Sequence, residues 1–181
     1  SSCEVKIDNK NEEGSGEILV KGPNVMIGYY KDDESNEKSF TNGWFRTGDY
    51  GSIDADKNLV ICGRKKNLIV LSNGKNVHPE ELEGYIYEMM PYVKESLVYI
   101  DKNKKGSEVI STYVYLDQDF SSGKSLEELE SILKEDLKKV NKKLKRKKKI
   151  QHIYIKEEEF EKNSSKKIIR QKFLEEVSQI G

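Results

Sequence analysis

Three stretches of this sequence combine residue types suited to a charged ligand. The first is Gly43-Trp44-Phe45-Arg46-Thr47-Gly48-Asp49, which reads as a strand entering a tight turn that ends in a carboxylate. A glycine lets backbone approach a ligand closely, and a carboxylate just after it suits paired hydroxyls, as Asp does for ribose in other nucleotide folds. The second runs from Gly63 to Glu83: a cationic turn at Arg64-Lys65-Lys66, an apolar run, a glycine loop at Ser72-Asn73-Gly74-Lys75-Asn76, and an acidic helix start after Pro79. The third, Ser164-Ser165-Lys166-Lys167-Ile168-Ile169-Arg170, is a polar loop entering a helix. A lysine there can reach a phosphate or carboxylate as a mobile point charge. Each stretch alone has a plainer reading: a β-turn Asp, a solvated linker with an ordinary turn, and a surface lysine.

The elements that must position these stretches change character along the chain. Glu17 to Lys21 reads as a strand closed by Gly22-Pro23-Asn24. Val25 to Tyr30 reads as a second extended piece and Lys31 to Lys38 as a polar helical insert. Trp44 to Arg46, Tyr50 to Asp54 and Asn58 to Cys62 complete a small antiparallel β unit, with a turn at Asp54 to Asn58 whose Asp and Asn side chains can bond the local backbone. A boundary is expected at Arg64 to Lys66. Beyond it come a buried strand at Leu68 to Leu71 and a helix opened by Pro79 and running through Met90, with Glu80, Glu81 and Glu83 near its positive end. Strands at Ser96 to Asp101 and Val109 to Leu116 follow. A long helix begins at a Ser125/Glu128 capping box, its stripe formed by Leu126, Leu129, Ile132, Leu133, Leu137, Val140 and Leu144. Lys149 to Ile155 is a further strand, and a last helix spans about 167–178. The expected fold class is α+β: a small antiparallel β subdomain, then a compact α+β domain with helices packed on a short sheet.

Composition narrows the function classes. The chain has 181 residues, 35% hydrophobic and 35% charged, and its ten Tyr and five Phe argue against wholesale disorder. No apolar run approaches the roughly 18 residues that span a bilayer, and Ser1 to Val5 shows no signal-peptide pattern. Cys3 and Cys62 make neither a disulfide framework nor a four-cysteine zinc site. His78 and His152 lack partners at ligand spacing, so no metal site is expected. The expected compartment is the cytoplasm, with attachment to a membrane surface left open. Basic and acidic residues number 32 each, so no global charge draws nucleic acid. Nine basic residues fall within 138–149, a run a nucleic-acid or acidic-membrane module would use. Acidic residues flank it and no aromatics interleave to stack on bases, so it reads as a solvated helix end.

Taken together and in order, the three stretches resemble the C-terminal part of the adenylate-forming (AMP-binding) superfamily, which includes acyl-CoA synthetases, peptide-synthetase adenylation domains and luciferases. Gly16-Glu17-Ile18-Leu19-Val20-Lys21 through Gly28-Tyr29-Tyr30 adds a fourth matching motif. Four ordered motifs are far more specific than any one of them. The resemblance implies that a carboxylate attacks the α-phosphate of ATP, giving an acyl-adenylate and pyrophosphate, after which a thiol displaces AMP. It places Asp49 and Arg64 at the ribose, Lys66 at the hinge of a rotating small domain, and Lys167 between the substrate carboxylate and the α-phosphate. Ser72, Asn73 and Gly74 would line the pantetheine path. It also implies ATP, magnesium and coenzyme A, with a carrier-protein pantetheine as the alternative thiol.

The resemblance divides the chain into residues 1–64, the terminal β subdomain of a large N-terminal domain, and residues 65–181, a mobile C-terminal α+β domain. No Ser/Thr/Gly-rich phosphate loop and no aromatic adenine-binding segment occur, so the chain is expected to be part of a longer polypeptide, partnered by the rest of that N-terminal domain and unable to adenylate alone. The family often has Gly before the catalytic lysine and Pro a few positions earlier. Lys166 and Ser164 stand there instead, which makes Lys166 a rival to Lys167. Lys66 resembles the hinge lysine of a fatty-acyl branch and favours fatty acids. The alternative classes are a non-catalytic carrier-protein-binding module and a basic nucleic-acid or membrane module.

Overall fold

The computed structural model describes residues 3–144 and 148–180, and the chain divides into two compact units, residues 1–68 and 69–181. Residues 145–147, the middle of the basic run, lie outside the described residues.

The first unit is built on strands β1 (Glu4–Asp8), β2 (Gly16–Lys21), β3 (Phe40–Thr41), β4 (Trp44–Ile53) and β5 (Leu59–Arg64), with helix α1 (Asp33–Ser39) inserted before β3. The sheet runs β1-β2-β4-β3, and β5 also pairs with β4, so β4 is central and every pairing is antiparallel. Buried Ile7, Ile18, Leu19 and Tyr50 form its apolar interior. Trp44 to Arg46 and Tyr50 to Asp54, separate strands by sequence pattern, are one strand here. The break between them survives as a bulge: from the Arg46–Leu19 pair to the Tyr50–Glu17 pair, β4 advances further than β2. Gly48 sits in the bulge at φ 71°.

Val25 to Tyr30 is not extended sheet. Met26, Ile27, Tyr29 and Tyr30 are exposed, and Asn36 of α1 substitutes for a neighbouring strand. Its side-chain oxygen accepts the Tyr29 N–H at 2.6 Å and its amide donates to the Tyr29 carbonyl at 2.9 Å, satisfying backbone groups a ladder would otherwise pair. Strand β1 has no counterpart in the sequence reading, its charged, exposed outer positions hiding the alternation.

The second unit contains a two-stranded hairpin, β6 (Ile69–Val70) with β7 (Asn76–Val77), and a three-stranded sheet, β8 (Val93–Lys102), β9 (Glu108–Leu116) and β10 (Ile150–Ile155). Strand β9 lies in the middle, antiparallel to β8 and parallel to β10. A parallel neighbour requires a crossover, and the chain between β9 and β10 contains α3 (Gln118–Ser121) and the long α4 (Leu126–Lys143). Helix α2 (Pro79–Met89) precedes β8 and α5 (Arg170–Ile180) closes the unit.

Both faces of the larger sheet are covered. Val98, Ile110 and Val114 pack with Leu82 and Ile86 of α2 and Leu133, Leu137 and Val140 of α4. The alternate residues Leu97 and Tyr99 face the other way, into a smaller cluster with Phe160 and Phe173 of α5. Such alternation is what strand geometry imposes. The α4 stripe is buried except at half-buried Ile132 and at its start, where Leu126 is 61% exposed. The capping box forms completely, with the Ser125 side chain accepting the Glu128 N–H and the Glu128 carboxylate accepting the Ser125 N–H. The buried strand expected at Leu68 to Leu71 shrinks to two residues, because its partner offers only Asn76 and Val77, and Val70 is exposed. Cys62 is half-buried. Among the described residues, no helix is long and apolar enough to cross a membrane.

Candidate active site

The residues singled out by sequence divide between the units: Asp49, Arg64 and Lys66 lie in the first, and Ser72, Asn73, Gly74 and Lys167 in the second.

In the first unit the β4–β5 register sets Asp49 opposite Arg64, and Arg64 Nη1 donates to Asp49 Oδ1 at 2.7 Å. The bulge aims this carboxylate. Thr47 Oγ1 donates to the Ile18 carbonyl at 2.8 Å and accepts the Asp49 N–H at 3.0 Å, locking the turn around Gly48. Bulges of this kind re-aim side chains at functional sites. Both members of the pair are partly exposed, Arg64 by half, so the pair is open to a ligand and contributes little to stability.

Lys66 lies exposed in a 3₁₀ turn, Lys65–Asn67, that follows β5 directly. Sequence reasoning missed what holds this turn. Glu17, 5% exposed, accepts Lys65 Nζ at 2.8 Å and Arg46 Nη2 at 2.5 Å on the same oxygen. Burial raises the Glu17 carboxyl, but the bonds from Lys65 and Arg46 outweigh it and hold the group below its ordinary value. The only advance signal was a Glu within an otherwise apolar strand.

In the second unit Ser72, Asn73 and Gly74 form the tip between β6 and β7. Leu71 N–H donates to the Lys75 carbonyl and Gly74 N–H to the Leu71 carbonyl, both at 2.8 Å. Gly74 takes φ 77°, and a Cβ there would meet nothing within 4 Å, so its backbone conformation alone selects glycine. The Glu108 carboxylate accepts the Ser72 N–H at 2.7 Å, which fixes the tip and lowers the carboxyl's pKa.

Lys167 ends a five-residue turn closed by Asn163. Asn163 N–H donates to the Lys167 carbonyl, Lys166 N–H donates to the Asn163 carbonyl, and the Asn163 side-chain oxygen accepts the Ser165 and Lys167 N–H groups. Lys166 is left at φ 58°, the left-handed region that glycine favours. The same turn recurs at Asn11–Ser15, Asp54–Asn58 and Asn103–Ser107, with Gly14, Lys57 and Gly106 in the corresponding left-handed position. It is the type I turn with a left-handed residue that joins short antiparallel arms. The residue before Lys167 therefore has the backbone of a glycine without being one, and Lys167 itself is exposed.

The turn's flanks pair as an isolated antiparallel bridge between Lys162 and Ile168. Arg170 reaches Glu83 of α2, whose second oxygen accepts the Val98 N–H at 2.7 Å. Lys162 reaches Glu95 of β8, whose second oxygen accepts the Phe160 N–H at 2.8 Å. Glu83 was expected to serve the helix dipole; instead it is buried and paired with a residue 87 positions away. Burial pushes its carboxyl up, against the opposing effects of Arg170 and the Val98 N–H. His78 stands at the N-cap position of α2 and is buried, and His152 is exposed on β10. Among the described residues no three His, Cys, Asp or Glu side chains gather to hold a metal. Within the basic run and beside it, Lys134, Lys139, Lys143 and Lys148 pair with Glu130, Asp136, Glu88 and Glu81.

Residues 66–180 match the family described as AMP-binding enzyme C-terminal domain. A 2-succinylbenzoate–CoA ligase of Bacillus velezensis is 34% identical over 96% of this chain and 34% of its own length. The long-chain-fatty-acid–CoA ligase FadD15 of Mycobacterium tuberculosis is 43% identical over 48% of this chain and 14% of its own. Among solved structures, the o-succinylbenzoate CoA synthetase of Bacillus subtilis in complex with its acyl-adenylate intermediate has 32% identity and a TM-score of 0.72, over 95% of this chain and 34% of that one. The chain thus spans about a third, or less, of the relatives it matches.

Proposed function

The chain belongs to the AMP-binding enzyme C-terminal domain family of adenylate-forming enzymes, and from that premise we propose that it serves an ATP-dependent carboxylic acid–CoA ligase, supplying part of the ribose contact, the hinge, the thiol-path loop and the adenylation lysine. The observation that carries this reading is the Asn163 turn. It presents Lys167 directly after a left-handed residue, in the register where the family pattern has glycine followed by the catalytic lysine.

In the first half-reaction a carboxylate oxygen bonds to the α-phosphorus of ATP and pyrophosphate leaves. Negative charge builds on the α-phosphate oxygens as the carboxylate attacks, and the Lys167 ammonium stabilises it electrostatically. Asp49 accepts hydrogen bonds from the ribose hydroxyls, and Arg64 holds its carboxylate in place. In the second half-reaction a thiolate attacks the acyl carbonyl and AMP leaves. Lys167 is then withdrawn by rotation about Lys66, and the Ser72–Asn73–Gly74 tip takes up the pantetheine, a hinge motion absorbed by a few residues. Anchoring Lys65 to Glu17 confines the pivot to the residues after it. Magnesium enters with ATP and is assigned to no residue of this chain.

Fatty acids are the first substrate class, on the strength of Lys66. Similarity to a 2-succinylbenzoate ligase along 96% of this chain supports an aryl-substituted acid as the second. The test is ATP–pyrophosphate exchange by the full-length gene product over a panel of carboxylic acids. Exchange with one class, lost in Lys167→Ala, supports the reading; exchange unaffected by Lys167→Ala, or absent with every acid from a folded product, overturns it. ATP-dependent adenylate formation by the 181-residue chain alone would overturn the division of labour.

A further inference from the structure

Two buried carboxylates hold the turn that carries Lys167, one beneath each arm. Glu83 and Glu95 are 6% and 8% exposed. Each spends one oxygen on a backbone N–H, of Val98 and Phe160 respectively, and the other on a cation flanking the turn, Arg170 and Lys162. Between these two cations the chain runs through the Lys162–Ile168 bridge and the Asn163–Lys167 closure, so little internal freedom remains. We infer that Glu83–Arg170 and Glu95–Lys162 are positioning pairs that fix where Lys167 is presented during adenylation, an inference that rests on the role proposed above for Lys167.

The physical case begins with the side chain. Lys167 has a long flexible stem, so the protein controls its ammonium chiefly by placing the backbone from which it extends. Buried ion pairs are poor sources of stability, because desolvation cancels much of the attraction, whereas they can define a unique arrangement. Apolar residues at these four positions could pack the turn with freedom to slide. Two charge pairs on opposite arms remove that freedom. Arg170 meets Glu83 through one nitrogen and one oxygen, the other oxygen being held by the Val98 N–H, so the pair acts through charge and a single directed bond. A misplacement of about 1 Å at a reacting centre costs roughly 100-fold in rate.

The test uses the full-length protein and separates the half-reactions: ATP–pyrophosphate exchange for adenylation, and CoA thioester formation from a preformed acyl-adenylate for the second step. Variants are Arg170→Lys, Lys162→Met, and the double variant Glu83→Gln/Arg170→Met, which leaves no unpaired buried charge. The expected result is a drop in adenylation kcat of roughly 10- to 100-fold, with KM for ATP, the thermal midpoint of the double variant and the second half-reaction near wild type. Arg170→Lys should adenylate faster than the double variant, because it retains the charge. Lys162→Met combined with Glu95→Gln, which likewise leaves no unpaired buried charge, keeps the test decisive if the first double variant does not fold. Full adenylation in these variants, with Lys167→Ala inactive, overturns the positioning role alone. Equal loss of both half-reactions assigns the pairs to folding and also overturns it. Adenylation surviving in Lys167→Ala overturns the reading beneath it.

Discussion

Replacing Lys166 with glycine should stabilise the second unit while leaving adenylation in place. Lys166 sits at φ 58° and is exposed. Left-handed backbone costs an L-residue roughly 1–2 kcal/mol, whereas glycine returns roughly 0.4–1 kcal/mol of that through the greater freedom of the unfolded chain. The net gain for Lys166→Gly is about 0.5–1 kcal/mol, or roughly 2–6 °C in the thermal midpoint of a unit this size. Gly106 supplies the converse, since it holds the same place in the same turn at φ 76° and a Cβ there would meet nothing within 4 Å. Gly106→Ala therefore isolates the backbone contribution and should cost about 1 kcal/mol. Thermal and urea denaturation of the 181-residue chain, followed by helical circular dichroism, reads both, since α2, α4 and α5 all belong to the second unit. A neutral Gly106→Ala, or a destabilising Lys166→Gly, would refute the strain argument. In the full-length protein the same variant decides between neighbouring lysines: pyrophosphate exchange persists in Lys166→Gly and disappears in Lys167→Ala. The reverse pattern would move the catalytic role to Lys166.

Three further outcomes follow from other parts of the molecule. Asp49→Ala in the full-length protein should raise KM for ATP by roughly 10- to 100-fold, the worth of hydrogen bonds to a charged acceptor; steady-state kinetics in ATP checks this, and an unchanged KM would remove Asp49 from the ribose. Glu17 is held below its ordinary pKa by Lys65 and Arg46, so its contribution is complete above the ordinary Glu range and is lost as pH falls through the folded-state value. Lys65→Met should therefore weaken the first unit at neutral pH and flatten its acid limb, read by the fluorescence of Trp44, the single tryptophan; an unchanged acid limb would contradict the coupling. Ser111 is fully buried on β9 and its hydroxyl has no hydrogen-bond partner among the described residues, whereas Thr112 beside it bonds Ser96. Ser111→Ala should be neutral or stabilising by up to about 1 kcal/mol, and Thr112→Val destabilising by about 1 kcal/mol, as urea titration will measure.

Elements whose signals are local could be read from the sequence. The capping box, the α4 stripe and the Pro79 helix start follow from contacts within a few residues, and β8 and β9 from the apolar alternation along each strand, though not which strands pair. Motif order likewise pointed to Asp49, Arg64 and Lys167, because each sits in a short stretch of distinctive composition. Local pattern failed where a segment with strand-forming residues finds no full strand to pair with. Val25 to Tyr30 has strand-forming residues but is completed by Asn36 instead of a neighbouring strand, and Leu68 to Leu71 is curtailed by the brevity of its partner.

The same distinction separates the site from its supports. Which residues carry charge, which short polar runs turn and where the chain changes texture were legible from the sequence, since these depend on side-chain type and near neighbours. The pairings that tie Glu17 to Lys65, Glu108 to the Ser72 tip, and Glu83 and Glu95 to the arms beside Lys167 emerge from the folded chain alone. An acidic side chain looks alike in sequence whether it faces water or a cation dozens of residues away. Burial turns it into a specific anchor by making an unpaired charge costly, and burial exists only once the sheet and helices have closed around it.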